Sequence, residues 1–487
     1  MDIHEVEIAI IGSGSAGMSA YREVRKICER VALIEGGPFG TTCARVGCMP
    51  SKLLIAPADA RHRLKSLSEF GIESDAGRVN GRAVMRRVRE ERDRYVGFVH
   101  EAVNDFDPVH VIRAYAVFEN PNMLKLSPAF DGTLPPFERV RAKRIVIATG
   151  SRATIPDLLI AAGDRLVTSE DVFDWEDLPE SVAVFGAGVI GLELGQALHR
   201  LGVRVRLFGQ NGMIGGITDP DIRDYATKTI GDEMPVSLDA KDLRIERDAD
   251  SVVVHFSESR KRPARETFDY VLSATGRIPN LERLALENSG LALDKHGKPD
   301  YDPQTARLGK SHIFMAGDAN NDRPILHEAV DEGRLAGKNA VTYPEVFRHP
   351  RREPLGIVFC DPQIAYAGKK HSQIVDEGID FATGAMSFES QGRARVKLVN
   401  RGLLHVYGER KTGALIGAEM IGPENEHLAH LLAWSIQQHL TVAEVLEMPF
   451  YHPVIEEGLR TALRHLLAQL QMAPQPPANC IDCGPGA

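Results

Sequence analysis

Two cysteines five positions apart, Cys43 and Cys48, are residues that could carry redox chemistry. In a regular helix, five residues rise about 7.5 Å and turn away from the starting face. The two Cα atoms would then lie beyond the ~7 Å limit for a disulfide, so a bond between these cysteines requires a distorted segment. Gly47 gives the backbone room for such a bend. The alternatives are a chance proximity or a metal site, which would need three or four ligands.

The residues that follow Cys48 predict that it begins a helix. Pro50 suits the first turn of a helix, and it disfavours helical angles at Met49. A helix N-terminus stabilises negative charge and lowers the pKa of a thiol, so Cys48 is a candidate thiolate. Lys52 stands four residues later, on the same helix face. A strained disulfide near a cation is reducible, which is typical of catalytic disulfides.

The composition excludes several classes of protein. The chain has 487 residues, a formal net charge of −9 and 43% hydrophobic residues, as expected for a globular protein of several domains. The acidic balance argues against a nucleic-acid partner, and the absence of a long apolar run argues against a membrane span. The N-terminus lacks the basic region of a signal peptide, and six cysteines do not form a secreted disulfide framework. We therefore expect a cytoplasmic protein.

The beginning of the chain predicts a dinucleotide-binding unit. An apolar strand over residues 6–11 leads into a turn with Gly12, Gly14 and Gly17, and a helix and a second strand follow. The first glycine allows a tight turn, the second lets the backbone approach a pyrophosphate, and the third permits close helix packing. The pyrophosphate then lies at the helix N-terminus. Glu35, at the end of the second strand, can bind a pair of ribose hydroxyls.

A second unit of the same kind follows, which predicts that the chain binds two dinucleotides. A strand over residues 181–185 precedes Gly186, Gly188 and Gly191, and a helix comes next. Two copies of this strand, turn and helix pattern are a stronger indication than either copy alone.

The strand end that distinguishes NAD from NADP is unusual in the second unit. The strand over residues 203–208 ends at Gly209, where an acid would bind the ribose of NAD and an arginine would suit the 2′-phosphate of NADP. Neither is clearly present, although Arg204 and Arg206 lie just upstream. The choice of nicotinamide cofactor stays open.

Other strands end in small or acidic residues. Two of them end in the same Ala-Thr-Gly turn, at Thr149-Gly150 and at Gly276. A third strand ends at Asp318, which could hold a polyhydroxy chain; the alternative is a helix N-cap. The stretch over residues 109–112 is predicted to be a strand.

The C-terminal part of the chain predicts a separate α+β domain, starting near Arg351. Within it, Pro453 holds the backbone of His452 extended. Glu457 can bond one ring nitrogen and leave the other for acid–base chemistry. Such a histidine is more often a satisfied loop residue, but the reactive dithiol elsewhere favours the catalytic interpretation.

Taken together, these motifs resemble those of the FAD-dependent pyridine nucleotide-disulfide oxidoreductases with a redox-active disulfide, and within that family the dihydrolipoamide dehydrogenase branch. In chain order, the motifs are Gly12/Gly14/Gly17, Cys43/Cys48/Lys52, Ala148-Thr-Gly150, Gly186/Gly188/Gly191 with Glu193, Ala316-Gly-Asp318 and His452-Pro453 with Glu457.

The resemblance implies an α/β fold with two Rossmann-like dinucleotide-binding domains and a C-terminal α+β dimerisation domain. The expected divisions are an FAD domain over 1–155, an NAD(P) domain over 156–275, a central domain completing the FAD site over 276–350, a dimerisation domain over 351–471 and a flexible tail over 472–487. The resemblance also implies FAD and NAD as cofactors, with NADP as the alternative to NAD, and no metal. It also implies a homodimer whose substrate is a small dithiol, a disulfide or a lipoyl domain.

The resemblance further implies catalytic roles. Cys43 would be the thiol that meets the substrate, and Cys48 would be the thiol against the flavin. His452 of the opposite subunit, oriented by Glu457, would shuttle the proton.

At the cofactor sites, Lys52 paired with Glu193 would lie near the flavin N5. Glu35 and Asp318 would hold the ribose and the ribityl chain of FAD. The remaining cofactor-binding residues are expected to be Gly12, Gly14, Gly17, Thr149, Gly150, Gly186, Gly188, Gly191 and Gly276.

The tail leaves a second function open. It is rich in proline and glycine, and it holds Cys480 and Cys483. Some reductases of the family use C-terminal cysteine pairs to pass electrons outward or to bind metal, so an NADPH-dependent disulfide or mercuric reductase is the alternative to the dehydrogenase. The cysteines could equally be incidental to a flexible end. An alternative of another class is a flavin-binding sensor without dedicated turnover.

Overall fold

The structure is a computed structural model that describes residues 3–73, 77–258 and 263–470 of the chain. The predicted tail with Cys480 and Cys483 lies outside the described residues. The chain divides into two compact units. The first unit contains the described residues within 1–53, 86–154 and 277–351, and the second contains those within 54–85, 155–276 and 352–487.

In chain order, the strands are β1 (Ile3–Ile11), β2 (Val31–Glu35), β3 (Val111–Arg113), β4 (Tyr115–Asn120), β5 (Met123–Ser127), β6 (Arg139–Ile147), β7 (Ser151–Ala153), β8 (Leu166–Thr168), β9 (Ser181–Phe185), β10 (Arg204–Phe208), β11 (Val236–Ser237), β12 (Lys241–Asp248), β13 (Ser251–Ser257), β14 (Ala264–Phe268), β15 (Tyr270–Ser273), β16 (Arg277–Pro279), β17 (Tyr301–Asp302), β18 (Arg307–Leu308), β19 (Ile313–Met315), β20 (Leu355–Val358), β21 (Gln363–Gly368), β22 (Phe381–Ser387), β23 (Leu403–Glu409) and β24 (Leu415–Gly422).

The α-helices follow the same order. They are α1 (Ser15–Val24), α2 (Thr42–Val46), α3 (Cys48–Leu64), α4 (Gly81–Asn104), α5 (Asp157–Ile160), α6 (Val189–Arg200), α7 (Pro220–Glu233), α8 (Leu326–Thr342), α9 (His371–Asp376), α10 (Gly392–Val396), α11 (Asn425–Gln437), α12 (Val442–Leu446) and α13 (Glu457–Gln469).

The main sheet of the first unit has the strand order β17-β18-β19-β6-β1-β2-β3, and the hairpin β4–β5 joins it through β6. The central strands β19, β6, β1, β2 and β3 run parallel. Buried on both faces, β1 and β2 are nearly continuous apolar runs, as parallel strands in a covered sheet usually are. Their carboxyl ends therefore meet at one edge, where ligands of such sheets bind.

Helices α1 and α8 cross closely on one face of this sheet. A Cβ on Gly333 would lie 2.2 Å from the carbonyl oxygen of Ala16, and one on Gly337 would lie 2.7 Å from that of Ala20. Small residues on α8 thus allow α1, which starts at the first glycine turn, to be held against the sheet.

The second unit contains a parallel sheet with the order β11-β10-β9-β15-β8 and an antiparallel sheet β12-β13-β14. It also contains the antiparallel sheet β20-β21-β24-β23-β22, which α11 and α13 cover. The core of this last sheet is made of buried apolar side chains such as Val406, Leu432 and Leu463. The predicted α/β fold with a C-terminal α+β part is confirmed.

One predicted strand is wrong in part. Residues Pro108–His110 form a 3₁₀ turn, and the strand begins only at Val111. The side chain of Asp107 accepts the backbone N–H of Val109 at 3.1 Å, which starts a turn instead of a strand. The alternative role of Asp318 as a helix N-cap is also not observed, because Ala316 precedes the 3₁₀ turn Gly317–Asn320.

No helix within the described residues is both long enough and apolar enough to span a bilayer. The four domain boundaries and the cytoplasmic location stay predictions.

Candidate active site

The first glycine turn closes tightly on the strand that it leaves. Gly12 has a φ of +104°, and a Cβ on it would lie 2.3 Å from the carbonyl oxygen of Ala148. A Cβ on Gly17 would lie 1.8 Å from the carbonyl oxygen of Gly12. A Cβ on Gly14, in contrast, would meet no atom within 4 Å. The first and third positions require glycine for packing, whereas the second faces open space at the start of α1.

The carboxylate of Glu35 lies beside this turn, at the end of β2. One oxygen accepts hydrogen bonds from the backbone N–H and the hydroxyl of Ser13, at 2.7 and 3.0 Å. The other accepts the backbone N–H of Gly37 at 2.7 Å. An ionised carboxylate offers about four lone-pair sites, so Glu35 is oriented by these donors and can still accept from a ribose hydroxyl.

The turn after β6 contains a buried polar atom that lacks a partner. Thr149 Oγ1 is buried and has no hydrogen-bond partner among the described residues. Gly150 has a φ of +68°, and a Cβ on it would meet nothing within 4 Å. Asn280 holds the turn, because its backbone N–H donates to the carbonyl of Gly150 at 2.9 Å and its side chain donates to that of Thr149 at 3.1 Å. Such a hydroxyl beside open space suits a ligand atom.

Asp318 is held by a chain of hydrogen bonds from two other segments. Its Oδ2 accepts the hydroxyl of Ser151 at 2.6 Å. Arg277 donates to the hydroxyl oxygen of Ser151 at 2.8 Å and to its carbonyl oxygen at 2.7 Å. The carboxylate that the sequence predicts for a polyhydroxy chain is therefore oriented before any ligand binds.

The turn that carries Asp318 is also fixed from beneath by Glu332 on α8. This carboxylate is buried, and one oxygen accepts the backbone N–H of Gly317 and the side chain of Asn320, both at 2.7 Å. The other oxygen lies 2.8 Å from the guanidinium of Arg351. Burial raises the pKa of Glu332 to about 7, although the charge of Arg351 acts in the opposite direction.

Sequence reasoning missed Ser151, Arg277 and Glu332. A signal was present for the first two, because each directly follows an Ala-Thr-Gly turn. Glu332 lies inside a helix and had no such local signal.

The cysteine pair lies where a short helix gives way to a longer one. Helix α2 ends at Val46, Gly47 has φ −132° and ψ −111°, and α3 begins at Cys48. A Cβ on Gly47 would lie 3.0 Å from the carbonyl oxygen of Thr42 and 3.4 Å from the Cα of Cys43. A side chain at this position would press on the preceding turn. The predicted distortion between the cysteines and the predicted helix start at Cys48 are both confirmed.

Both cysteines are thiols in this structure, Cys43 half-buried and Cys48 exposed. A hydrogen bond with Cys48 raises the pKa of Cys43 above its usual range, and burial adds to this, whereas the ammonium of Lys52 acts in the opposite direction. Lys52 donates to the hydroxyl of Ser51 at 3.3 Å, and that hydroxyl donates to the carbonyl of Cys48 at 3.1 Å.

The second unit repeats the glycine geometry. Gly186 has a φ of +116°, and a Cβ on it would lie 2.1 Å from the carbonyl oxygen of Ala274. A Cβ on Gly191 would lie 1.7 Å from the carbonyl oxygen of Gly186. Cβ atoms on Gly188 and Gly276 would meet nothing within 4 Å. The glycine turns of the two units thus both leave open space at their second glycine, Gly14 or Gly188, which should approach a pyrophosphate.

Glu193 lies buried on α6 and accepts the backbone N–H of Phe359 at 3.0 Å. Its predicted pairing with Lys52 stays a prediction.

The histidine near the C-terminus has the partner that the sequence predicts. His452 Nδ1 lies 3.0 Å from an oxygen of Glu457, and the other oxygen of Glu457 accepts the backbone N–H of Val454 at 3.2 Å. The side chain of His452 is 64% exposed, whereas that of Glu457 is 3% exposed. A buried carboxylate thus orients an exposed ring, and the far ring nitrogen faces outward.

Two nucleotide turns, a cysteine pair and an oriented histidine are the parts that the sequence predicts for an oxidoreductase with two dinucleotides. Residues 6–333 match the family model described as pyridine nucleotide-disulphide oxidoreductase, and residues 355–463 match the dimerisation domain of that family. The chain therefore belongs to the pyridine nucleotide-disulphide oxidoreductase family, whose members depend on FAD and NAD(P). The predicted family, fold class and cofactors are confirmed.

Relatives with two different activities match this chain. The dihydrolipoyl dehydrogenase of Haloferax volcanii is 28% identical over 473 residues, which cover 95% of this chain and 96% of the relative. The mercuric reductase of Shigella flexneri is 29% identical over 466 residues, which cover 94% of this chain and 80% of the relative. These names leave the substrate of this chain unresolved.

Solved structures share the fold. The Cu(II) complex of the HOCl-induced flavoprotein disulfide reductase RclA from Escherichia coli has a TM-score of 0.80 at 23% identity, covering 94% of this chain and 99% of that one. LpdA from Mycobacterium tuberculosis has a TM-score of 0.79 at 22% identity, covering 95% and 100%.

The described residues fit both cofactors of the family. Open space at Gly14 and Gly150, with the partnerless hydroxyl of Thr149, suits the FAD of the first unit. Open space at Gly188 and Gly276 suits the NAD(P) of the second unit. The individual roles of these residues stay predictions.

Proposed function

We propose that the protein is an FAD-dependent oxidoreductase that passes electrons between a small dithiol and NAD(P) through Cys43 and Cys48, with dihydrolipoamide as the expected dithiol. The observation that carries the proposal is the pair of free thiols, Cys43 and Cys48, on either side of the break between α2 and α3. Dihydrolipoyl dehydrogenases that match this chain over nearly its whole length support the choice of dithiol.

Thiol–disulfide exchange accounts for the oxidation of the substrate. In the oxidised enzyme, Cys43 and Cys48 form a disulfide, and a thiolate of the substrate attacks the sulfur of Cys43. The S–S bond breaks, and Cys48 leaves as a thiolate. The second thiol of the substrate then attacks the substrate sulfur of the mixed disulfide, and its proton passes to the departing Cys43 sulfur. This releases the cyclic disulfide and leaves Cys43 as a thiol. The substrate has lost two electrons and two protons, and the cysteine pair has gained the two electrons.

His452 and Glu457 handle the protons. The outward ring nitrogen of His452 takes a proton from the substrate thiol, because only a thiolate is a good nucleophile. The carboxylate of Glu457, 3.0 Å from the inner nitrogen, stabilises the imidazolium that results. Bound FAD supplies a two-electron acceptor for the reduced cysteine pair, with NAD(P)⁺ as the final acceptor.

We infer that the protein works as a homodimer through its dimerisation domain, residues 355–463. In the proposed arrangement, His452 acts on the cysteine pair of the opposite subunit.

The test is dihydrolipoamide oxidation by Cys43→Ser and Cys48→Ser variants with NAD⁺ as acceptor. Both variants should lose dithiol turnover while retaining bound FAD. Cys28→Ser is the matched control, because Cys28 is another half-buried thiol and has no part in the proposed exchange. Full dithiol turnover in Cys48→Ser would refute the proposal.

A reductase that acts on mercuric ion or another disulfide is the second candidate. It is favoured by the mercuric reductases among the relatives and by the Cys480/Cys483 pair of the sequence. Deletion of residues 475–487 distinguishes the two candidate functions. If the tail has a catalytic role, the shortened protein should no longer reduce mercuric ion with NADPH, whereas its activity on lipoamide should be unchanged. Unchanged activity on both would leave the tail without a catalytic role. A flavin-binding sensor would turn over neither substrate.

A further inference from the structure

The site that reads the adenine ribose of the nicotinamide cofactor lies at the end of β10. In a Rossmann unit, an acid at this strand end binds the 2′-hydroxyl of NAD, and a nearby arginine accommodates the 2′-phosphate of NADP. Here the strand is followed by Gly209, Gln210 and Asn211, all uncharged. An inference about which nucleotide binds here rests on the proposed function, because this nucleotide is the second cofactor of that reaction.

Arg206, the nearer upstream arginine, is committed to the neighbouring sheet. Its guanidinium lies 2.7 Å from a carboxylate oxygen of Glu266 and donates to the hydroxyl of Ser237 at 3.0 Å. It also lies over the ring of Phe256, 5.0 Å from the centroid. The side chain is 20% exposed. These contacts hold β10 against β13 and β14, so its charge is already paired.

Arg204 also has contacts with the neighbouring sheet, although its side chain is 55% exposed. It donates to the backbone carbonyl of Thr267, lies 3.8 Å from Glu266, and its guanidinium stacks 4.7 Å from the ring centroid of Phe268. Neither arginine that the sequence suggested for a 2′-phosphate is therefore available for one without breaking these contacts.

The position of Gly209 is crowded, so an acid there would require its neighbours to shift. A Cβ at this position would lie 2.8 Å from a methyl group of Leu238 and 3.0 Å from the Cβ of Ala187. The backbone N–H of Gly209 also donates to the carbonyl of Ser237 at 2.9 Å, which fixes the strand end. The next residue, Gln210, is exposed.

We propose that the second nucleotide site accepts both NAD and NADP, and that Gln210 is the residue whose charge would decide between them. A neutral amide can donate to a 2′-phosphate or accept from a 2′-hydroxyl, so it discriminates little. Because this strand end reads the adenine ribose, a charge at residue 210 would attract or repel a 2′-phosphate and change affinity by about tenfold or more.

The experiment is a calorimetric titration of the FAD-loaded enzyme with NAD⁺ and, separately, with NADP⁺, in the absence of dithiol. We expect the two Kd values of the natural protein to agree within about tenfold. Gln210→Glu should weaken NADP⁺ binding and Gln210→Arg should strengthen it, with smaller effects on NAD⁺. The controls Arg204→Gln and Arg206→Gln, with folding checked by thermal melting, should leave the Kd ratio unchanged.

A larger preference of the natural protein for either nucleotide would overturn the inference, as would a changed ratio in either arginine variant. In both cases the proposed dithiol chemistry would still stand. Binding of neither nucleotide would instead contradict the proposed function itself.

Discussion

At the scale of single residues, His452 and Glu457 divide one task between an exposed ring and a buried carboxylate. The ring can reach a substrate because it is exposed, and the carboxylate can orient it because burial and the N–H of Val454 fix its position. Glu457 is thus a positioning residue, and its effect should be electrostatic as well as geometric.

Replacement of Glu457 by glutamine tests this division. The amide keeps a polar atom beside the ring but removes the charge that stabilises the imidazolium. We expect kcat for dithiol oxidation to fall by about 10- to 1,000-fold, since acid–base catalysis contributes on this order, with the kcat–pH profile displaced to lower pH. Steady-state kinetics between pH 6 and 9 would measure both.

The matched control is Glu456→Gln, one residue earlier and only half-buried, which should behave as the natural protein. A Glu457→Gln enzyme with unchanged kcat and pH profile would contradict the assigned role.

At the scale of elements, Asp219 joins the start of α7 to β23. One oxygen accepts the backbone N–H groups of Asp221 and Ile222, at 3.0 and 3.2 Å. The other accepts the hydroxyl of Tyr407 at 2.8 Å and lies 2.8 Å from Nδ1 of His405. Asp219, Asp221 and His405 have ligand-type atoms within 4.8 Å of one another. These hydrogen bonds explain that grouping as a capped helix tied to a sheet.

Asp219→Asn should destabilise the second unit in a pH-dependent way. Burial alone would raise the pKa of Asp219, but His405, Tyr407 and the backbone N–H groups together lower it to about 2. A lowered carboxyl pKa stabilises the fold above the usual value near 3.8, and that stability is lost as the pH falls through about 2. We expect a loss of about 2 kcal/mol in free energy of unfolding at pH 7 and a smaller difference below pH 4.

Urea unfolding of the protein at pH 7 and pH 2.5 measures this difference. Asp221→Asn serves as the control, because Asp221 is exposed in the same helical turn and should cost little at either pH. Equal destabilisation by Asp219→Asn at both pH values would mean that its charge is unimportant.

The two kinds of glycine in the first turn can be separated by alanine substitution. Gly17→Ala places a methyl group on the carbonyl of Gly12, so it should lower the free energy of unfolding by about 1–3 kcal/mol even without cofactor. Gly14→Ala meets no protein atom, so the apoprotein should melt normally while its affinity for FAD falls.

Thermal melting of the apoproteins and titration with FAD would measure the two effects. Gly97 lies within α4, and a Cβ on it would meet no atom within 4 Å. Gly97→Ala should therefore lower neither the melting temperature nor the affinity for FAD. Normal FAD affinity in Gly14→Ala would show that the cofactor does not approach this turn.

At the scale of the whole molecule, the proposed active site depends on two chains. The cysteine pair and His452 would act together only across a dimer, so each site needs a Cys48 from one subunit and a His452 from the other. This arrangement predicts complementation between two inactive variants.

Cys48→Ser and His452→Gln chains, mixed equally under conditions that exchange subunits, should regain dithiol activity. Half of the dimers would be hybrids with one intact site each, so about a quarter of the natural activity should return. Activity before and after exchange, with size-exclusion chromatography to verify the dimer, would measure this. Continued inactivity of verified hybrids would place both residues of a site on one chain.

Several features of the fold and of the candidate site could be predicted from the sequence alone, because the motifs that indicate them are local. The glycine turns at Gly12 and Gly186, and the interruption between Cys43 and Cys48, each depend on residues within one short segment. Backbone geometry at such spacing allows few conformations, so the turns and the helix start at Cys48 were predictable. The strand predicted over 109–112 failed for the same local reason, because a turn beginning at Asp107 outweighed an alternating pattern.

The tertiary structure decided which side chains meet across long separations. Glu266 forms an ion pair with Arg206, so this arginine just upstream of the nucleotide site is held by a strand that is distant in the sequence. Ser151 and Glu332 come to the turn of Asp318 from a different strand and a different helix. Such partners depend on how strands pair and helices pack. A charged or polar side chain binds whichever group the fold brings within about 3 Å, and no local pattern specifies that group.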